Sequence, residues 1–176
     1  KLLRGRLGTE HEMDGHTVGD TFIYLDSAIM KTGMPVSSFG LLKYYKAVTI
    51  ADTLANTPEE TFTYTGKKFR PYSPVAILGT RDGSDNLTIN WTRRTRIDGE
   101  WRDGVDVPLG EESEAYDIDI MNGSTVVRTL ESTTTTVAYT AAEQTTDFGS
   151  TQSSIDVKIY QKSAVFGRAV AGEASI

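Results

Sequence analysis

Two histidines stand close together in Glu10-His11-Glu12-Met13-Asp14-Gly15-His16. A zinc-protease helix places its histidines at i and i+4 on one face, with a glutamate after the first. Here the second histidine is at i+5, and Gly15 weakens any helix. A solvated polar loop is the expected reading. Asp82, Ser84 and Asn86 alternate like the first ligands of a calcium loop. That loop needs glycine at its sixth position and glutamate at its twelfth, which here are Leu87 and Arg93. A plain Asp-Gly turn is expected instead.

Thr92-Arg93-Arg94-Thr95-Arg96 is a short basic run that could hold phosphate. Pairing of these arginines with Glu111, Glu112 and Glu114 is the expected use. Asp117 and Asp119 share one strand face. They are expected on its exposed side, with ordinary acidity and no catalytic part, because a working acid needs a raised pKa in a cleft. Three sequons begin at Asn86, Asn90 and Asn122, as threonine abundance alone would produce. No Gly-x-Ser-x-Gly and no phosphate-cradling glycine loop occurs. No catalytic, cofactor-binding or metal-binding residue is therefore expected, and no enzymatic activity.

The composition sets bounds on the rest. The 176 residues include no cysteine, which removes disulfides, thiolate zinc sites and cysteine nucleophiles. A chain of this length can bury a core without such staples. The net charge is -6, with 24 acidic and 18 basic residues, so a nucleic-acid partner is not expected. No apolar run approaches the length of a membrane span. The chain opens at Lys1 without an initiator methionine or signal-like leader, and is expected to be part of a longer protein.

The elements that must position these residues read as strands. Threonine is plentiful and the sixteen glycines punctuate turns, so the composition leans all-β. Pro71 and Pro74 in Arg70-Pro71-Tyr72-Ser73-Pro74 bar a central strand and suggest a linker. This gives a small β-rich domain over 1–72 and a second domain over 73–176. In the second, Val75 to Leu78 is a short strand. Leu87, Ile89 and Trp91 then alternate with polar residues at period two. Tyr116, Ile118 and Ile120 alternate next, and Asn122-Gly123 turns the chain into Thr125 to Thr129. Val137, Tyr139 and Ala141 follow, then a turn at Asp147-Phe148-Gly149. Ile155, Val157 and Ile159 come next, and a last strand over Glu173 to Ile176. Seven short strands so spaced predict a fibronectin type III-like β-sandwich with Trp91 between the sheets. In the first domain Thr21 to Leu25, Leu41 to Ile50 and Glu60 to Tyr64 are expected strands, and Asp26 to Lys31 a helical turn or another strand.

Several segments are recognisable as an ordered set. They are Leu2-Leu3-Arg4-Gly5-Arg6 with Gly8-Thr9-Glu10, Asn90 to Arg96, Pro108 to Glu114, Val127-Arg128-Thr129, Tyr139 to Ala142, Asp147-Phe148-Gly149, Tyr160 to Ser163 and Gly167-Arg168. Together, from Leu2 to Ile176, they resemble the C-terminal region of the tail-tip hub of gene transfer agents and related siphophages. That is the megatron or host-specificity-like baseplate protein. Ala169 departs from the glycine often found there in that family. The resemblance implies a virion structural protein at the distal tail tip, a homotrimer that closes the tail tube. Its implied partners are other tail and baseplate proteins, with a host cell-surface receptor as a further one. Two alternatives stand beside it. One is a host-surface glycan- or receptor-binding module using Tyr24, Tyr44, Tyr45 and Tyr64. The other is a spacer domain of a secreted enzyme.

Overall fold

The computed structural model describes residues 5, 8–13, 15–24, 27, 30, 33–99 and 104–176. It divides into two compact units, one of residues 15–68 and one joining 1–14 to 69–176. The division thus falls four residues before the one expected, and the opening segment belongs with the second unit. Local packing explains both differences. The Phe69 ring stacks on Phe166 with centroids 5.4 Å apart. Arg94 donates to the Ser73 carbonyl at 2.8 Å, to the Ser73 hydroxyl at 2.7 Å and to Glu10 at 2.9 Å. The Pro-Tyr-Ser-Pro segment is therefore packed against the sandwich rather than free.

Unit 15–68 holds a two-stranded antiparallel sheet of β1 (Leu42–Tyr45) and β2 (Glu60–Thr63). The strand expected over 41–50 is confined to its first half. No strand forms over residues 21–24, and Leu25 and most of Asp26 to Lys31 lie outside the described residues. An apolar run becomes a strand only where a neighbour takes up its backbone hydrogen bonds.

The larger unit is all-β apart from one helix among the described residues. Its strands are β3 (Val75–Arg81), β4 (Leu87–Thr92), β5 (Tyr116–Asn122), β6 (Thr125–Ser132), β7 (Thr136–Tyr139), β8 (Asp156–Ser163), β9 (Gly167–Arg168) and β10 (Gly172–Ser175). One sheet runs β3-β4-β7. The other runs β10-β8-β5-β6, with β9 paired to β8. This is the expected fibronectin type III-like sandwich. The alternation read from β4 holds, with Leu87, Ile89 and Trp91 buried and Thr88, Asn90 and Thr92 exposed. Trp91 meets the edge of Tyr116 at 5.0 Å between centroids. Ile118, Ile120, Tyr139, Ile155, Val157 and Ile159 complete the core.

Ala141 does not extend β7. Helix α1 (Ala141–Phe148) begins there instead, capped by Thr140. The Thr140 hydroxyl accepts from the Glu143 backbone, and the Glu143 carboxylate accepts from the Thr140 backbone. Gly149, at φ +83°, ends the helix in the left-handed conformation that its lack of a side chain favours. The expected turn at 147–149 is thus the end of a helix. Among the described residues no helix is long and apolar enough to cross a membrane.

Two substitutions test this packing. Trp91→Ala should destabilise the sandwich by about 3–5 kcal/mol in urea denaturation. Gly172 on β10 lies against the Pro74 carbonyl, where any Cβ would collide. Gly172→Ala should therefore lower stability by roughly 1–3 kcal/mol although the change is small. An unchanged denaturation midpoint would refute that close approach.

Candidate functional site

The strongest constellation of charge lies on the outer face of the β10-β8-β5-β6 sheet. Residues two apart on a strand share a face, so Asp117 and Asp119 project together from β5. Their neighbours are set by register: Asp117 faces Glu131 on β6 and Tyr160 on β8, and Asp119 faces Thr129 and Lys158. β9 then returns the chain so that Arg168 reaches both carboxylates. Its Nε donates to Asp117 at 2.6 Å, and its two terminal nitrogens donate to Asp119 at 2.8 and 3.1 Å. The guanidinium sits 4.7 Å from the Tyr160 ring centre. Lys162 Nζ pairs with Asp117 at 2.8 Å and with Glu131 at 3.3 Å. The Thr129 hydroxyl donates to Asp119 at 2.6 Å.

This corrects the expected exposure of the pair. Asp117 is 7% and Asp119 3% exposed. Burial pushes the Asp117 carboxyl up, but hydrogen bonds from Lys162 and Arg168 outweigh it and hold the group below the usual carboxylate range. A general acid needs the opposite shift. What this arrangement does is lock β9 to the middle of the sheet.

A second charge cluster joins α1 to β6. Arg128 donates to both oxygens of Asp147 at 2.6 and 3.0 Å, and the Tyr139 hydroxyl donates to the same carboxylate at 2.7 Å. The Arg128 hydrogen bonds lead in holding the Asp147 carboxyl low. Burial leads in raising the Tyr139 hydroxyl, and Asp147 adds to it. Gln144, fully buried in the same helix, donates to the Asp85 and Tyr139 carbonyls. These tie the helix to the turn between β3 and β4.

The arginine run is divided among three structural struts. Arg93 donates to Asp106 at 2.7 Å and to the carbonyls of Val107 and Pro108 at 3.0 Å, with Glu114 at 3.9 Å. Arg94 pairs with Glu10 rather than with an acid of the 111–114 segment and lies over Tyr72. Arg96 reaches the Glu111 carboxylate at 3.1 Å and the Gly110 carbonyl at 3.0 Å. The expected pairing therefore holds for Arg93 and Arg96, in the loop beyond β4 rather than across strands.

The remaining candidates fall into place singly. Asp82 caps its own turn, accepting from the Ser84 and Asn86 backbones and from the Asn86 side chain. Those bonds, the Asn86 side chain first, hold its carboxyl low. Asn86 in turn accepts from the Ala141 backbone, so this sequon side chain is engaged at both ends. His11 sits in a short 3-10 turn beside Glu12, and His16 lies 3.4 Å from Asp20. Among the described residues no group of histidines and carboxylates is arranged to hold a metal. Tyr44 and Tyr45 are neighbours on β1 and so face opposite ways, while Tyr64 is buried. The four tyrosines do not form one platform.

The fork on Arg168 gives a pH-dependent prediction. A carboxyl whose pKa is depressed in the fold stabilises it above the unfolded value, near 4, and that contribution fades as pH falls through the folded value. Asp117→Asn should thus cost roughly 1–3 kcal/mol near neutral pH, less than for a wholly buried pair because Arg168 is 39% exposed. The gap between wild type and variant should shrink below about pH 4. Urea midpoints at neutral and acid pH measure it, and a gap independent of pH would refute the assignment.

No protein-family model and no curated protein sequence matches the chain. Among solved structures it is similar to the rat CD45 extracellular region, domains d3-d4. The identity is 10%, the TM-score 0.44, and the match covers 93% of this chain and 78% of that one.

Proposed function

We propose that this chain is a non-enzymatic structural segment of a phage-type tail-tip hub, sited at the distal end of the virion and supporting host attachment. The observation that carries the reading is the ordered set of segments resembling the C-terminal region of such hubs. The residues of that set do framework work in the fold. Trp91 anchors the core, and Arg93, Arg94 and Arg96 brace the segments at its end. Glu111 and Glu114 receive two of those arginines, and Arg168 locks the outer sheet face. A resemblance carried by framework residues supports a shared architecture, and the function follows by analogy. The carboxylates of the outer face are neutralised by hydrogen-bonded cations, which suits a load-carrying surface better than a reacting one. In this reading the partners are other tail and baseplate proteins and further copies of the chain.

Cryo-electron microscopy of intact particles tests the proposal. Density for the sandwich at the distal tip of the tail is the expected result. Its absence from the particle, or its location on a host cell surface, would overturn the reading in favour of a binding module.

A further inference from the structure

Unit 15–68 carries most of the large apolar side chains that are exposed among the described residues, and Tyr64 is its one large buried one. Cross-strand partners share a face, so register divides the hairpin in two. Leu42 and Tyr44 lie on one face, opposite Thr63 and Thr61. Tyr45 and Phe62 lie on the other, opposite Glu60 and Lys43. Tyr44 is 61% and Phe62 49% exposed, so neither face is covered. An isolated two-stranded hairpin is at best marginally stable in water. Apolar side chains exposed together mark an association surface.

Charge indicates what covers it. Between positions 15 and 68 five lysines are matched by five carboxylates, so the unit is neutral and the rest of the chain carries the whole net charge of -6. A neutral surface meets a second copy of itself without repulsion, whereas the acidic remainder would repel its like. Two uncovered faces also constrain the symmetry. A two-fold contact joins the same face of both copies and leaves the other face wet. A contact of one face against the other, repeated around a closed ring, covers both.

We propose that residues 15–68 form a self-association surface, in which the Leu42–Tyr44 face of one copy packs on the Tyr45–Phe62 face of the next. The inference rests on the exposure, register and charge of this unit and does not require the tail-tip reading.

Tyr44→Asp and Phe62→Asp each put a charge on one face. The 176-residue chain should form a closed oligomer in light scattering, and each variant alone should fall to the one-chain mass of 19.3 kDa. Mixed in equal amounts, the two variants retain one intact pair of faces and should give a species of twice that mass. This rescue also distinguishes a lost interface from a failure to fold. A monomeric wild-type chain, a variant that still assembles, or a mixture that stays monomeric would each overturn the proposal. None of these outcomes bears on whether the sandwich lies at a tail tip, which particle imaging decides separately.

Discussion

Strand β5 is buried on both faces, and much of the larger unit follows from that. Its inner side chains, Tyr116, Ile118 and Ile120, are apolar and meet β4 and β8 across the core. Its outer side chains at 117 and 119 are carboxylates, and a carboxylate taken out of water needs a charged partner. Neither neighbouring strand meets the whole need, since Lys162 reaches Asp117 alone and Thr129 brings Asp119 no charge. The chain therefore has to return over the sheet, and β9 exists to deliver Arg168. Its planar fork spans two carboxylates that a single ammonium group could not hold in register.

The same logic governs the ends of the sandwich. Loops there have few apolar groups to bury, so they are fastened by bidentate arginines and caught carbonyls. Arg93, Arg94 and Arg96 leave β4 in sequence and reach three different segments. At the opposite end of β4, Gln144 and Asn86 join α1 to the β3–β4 turn through backbone groups that would otherwise lack partners. The apolar core fixes the two sheets, and charged side chains fix what hangs from them.

That division explains what could be read from the residues in advance. The alternation of Leu87, Ile89 and Trp91 has period two, and each side chain took the face that period assigns. The same alternation placed Asp117 and Asp119 opposite Ile118, correctly, but periodicity names a face without saying what covers it. Their cover comes from Arg168, about fifty residues onward, and no local pattern announces it. The helix after β7 was legible and was outweighed. Thr140-Ala141-Ala142-Glu143 is a capping box, yet Val137, Tyr139 and Ala141 also alternate. The cap prevailed because Gly149 offers the matching end. Thr21 to Tyr24 has strand-forming residues, but strand propensity describes fit to a pleated neighbour rather than a property of the segment alone.

The two units meet the cost of exposed surface in different ways. The larger unit closes its own core and neutralises its own buried charge, so its fold is complete within one chain. The hairpin unit has neither device. Its strands are four residues long, and its large side chains point both ways from a sheet only two strands wide. Adding apolar residues to such a hairpin adds exposed surface rather than core, because no third layer lies behind it. Had that unit been selected to stand in water, its outward positions would carry charge, as those of β8 do at Lys158 and Lys162. They carry Leu42, Tyr44 and Phe62 instead. That choice is stable only where another surface excludes water from both faces, which makes this unit the part of the chain whose structure depends most on its neighbours.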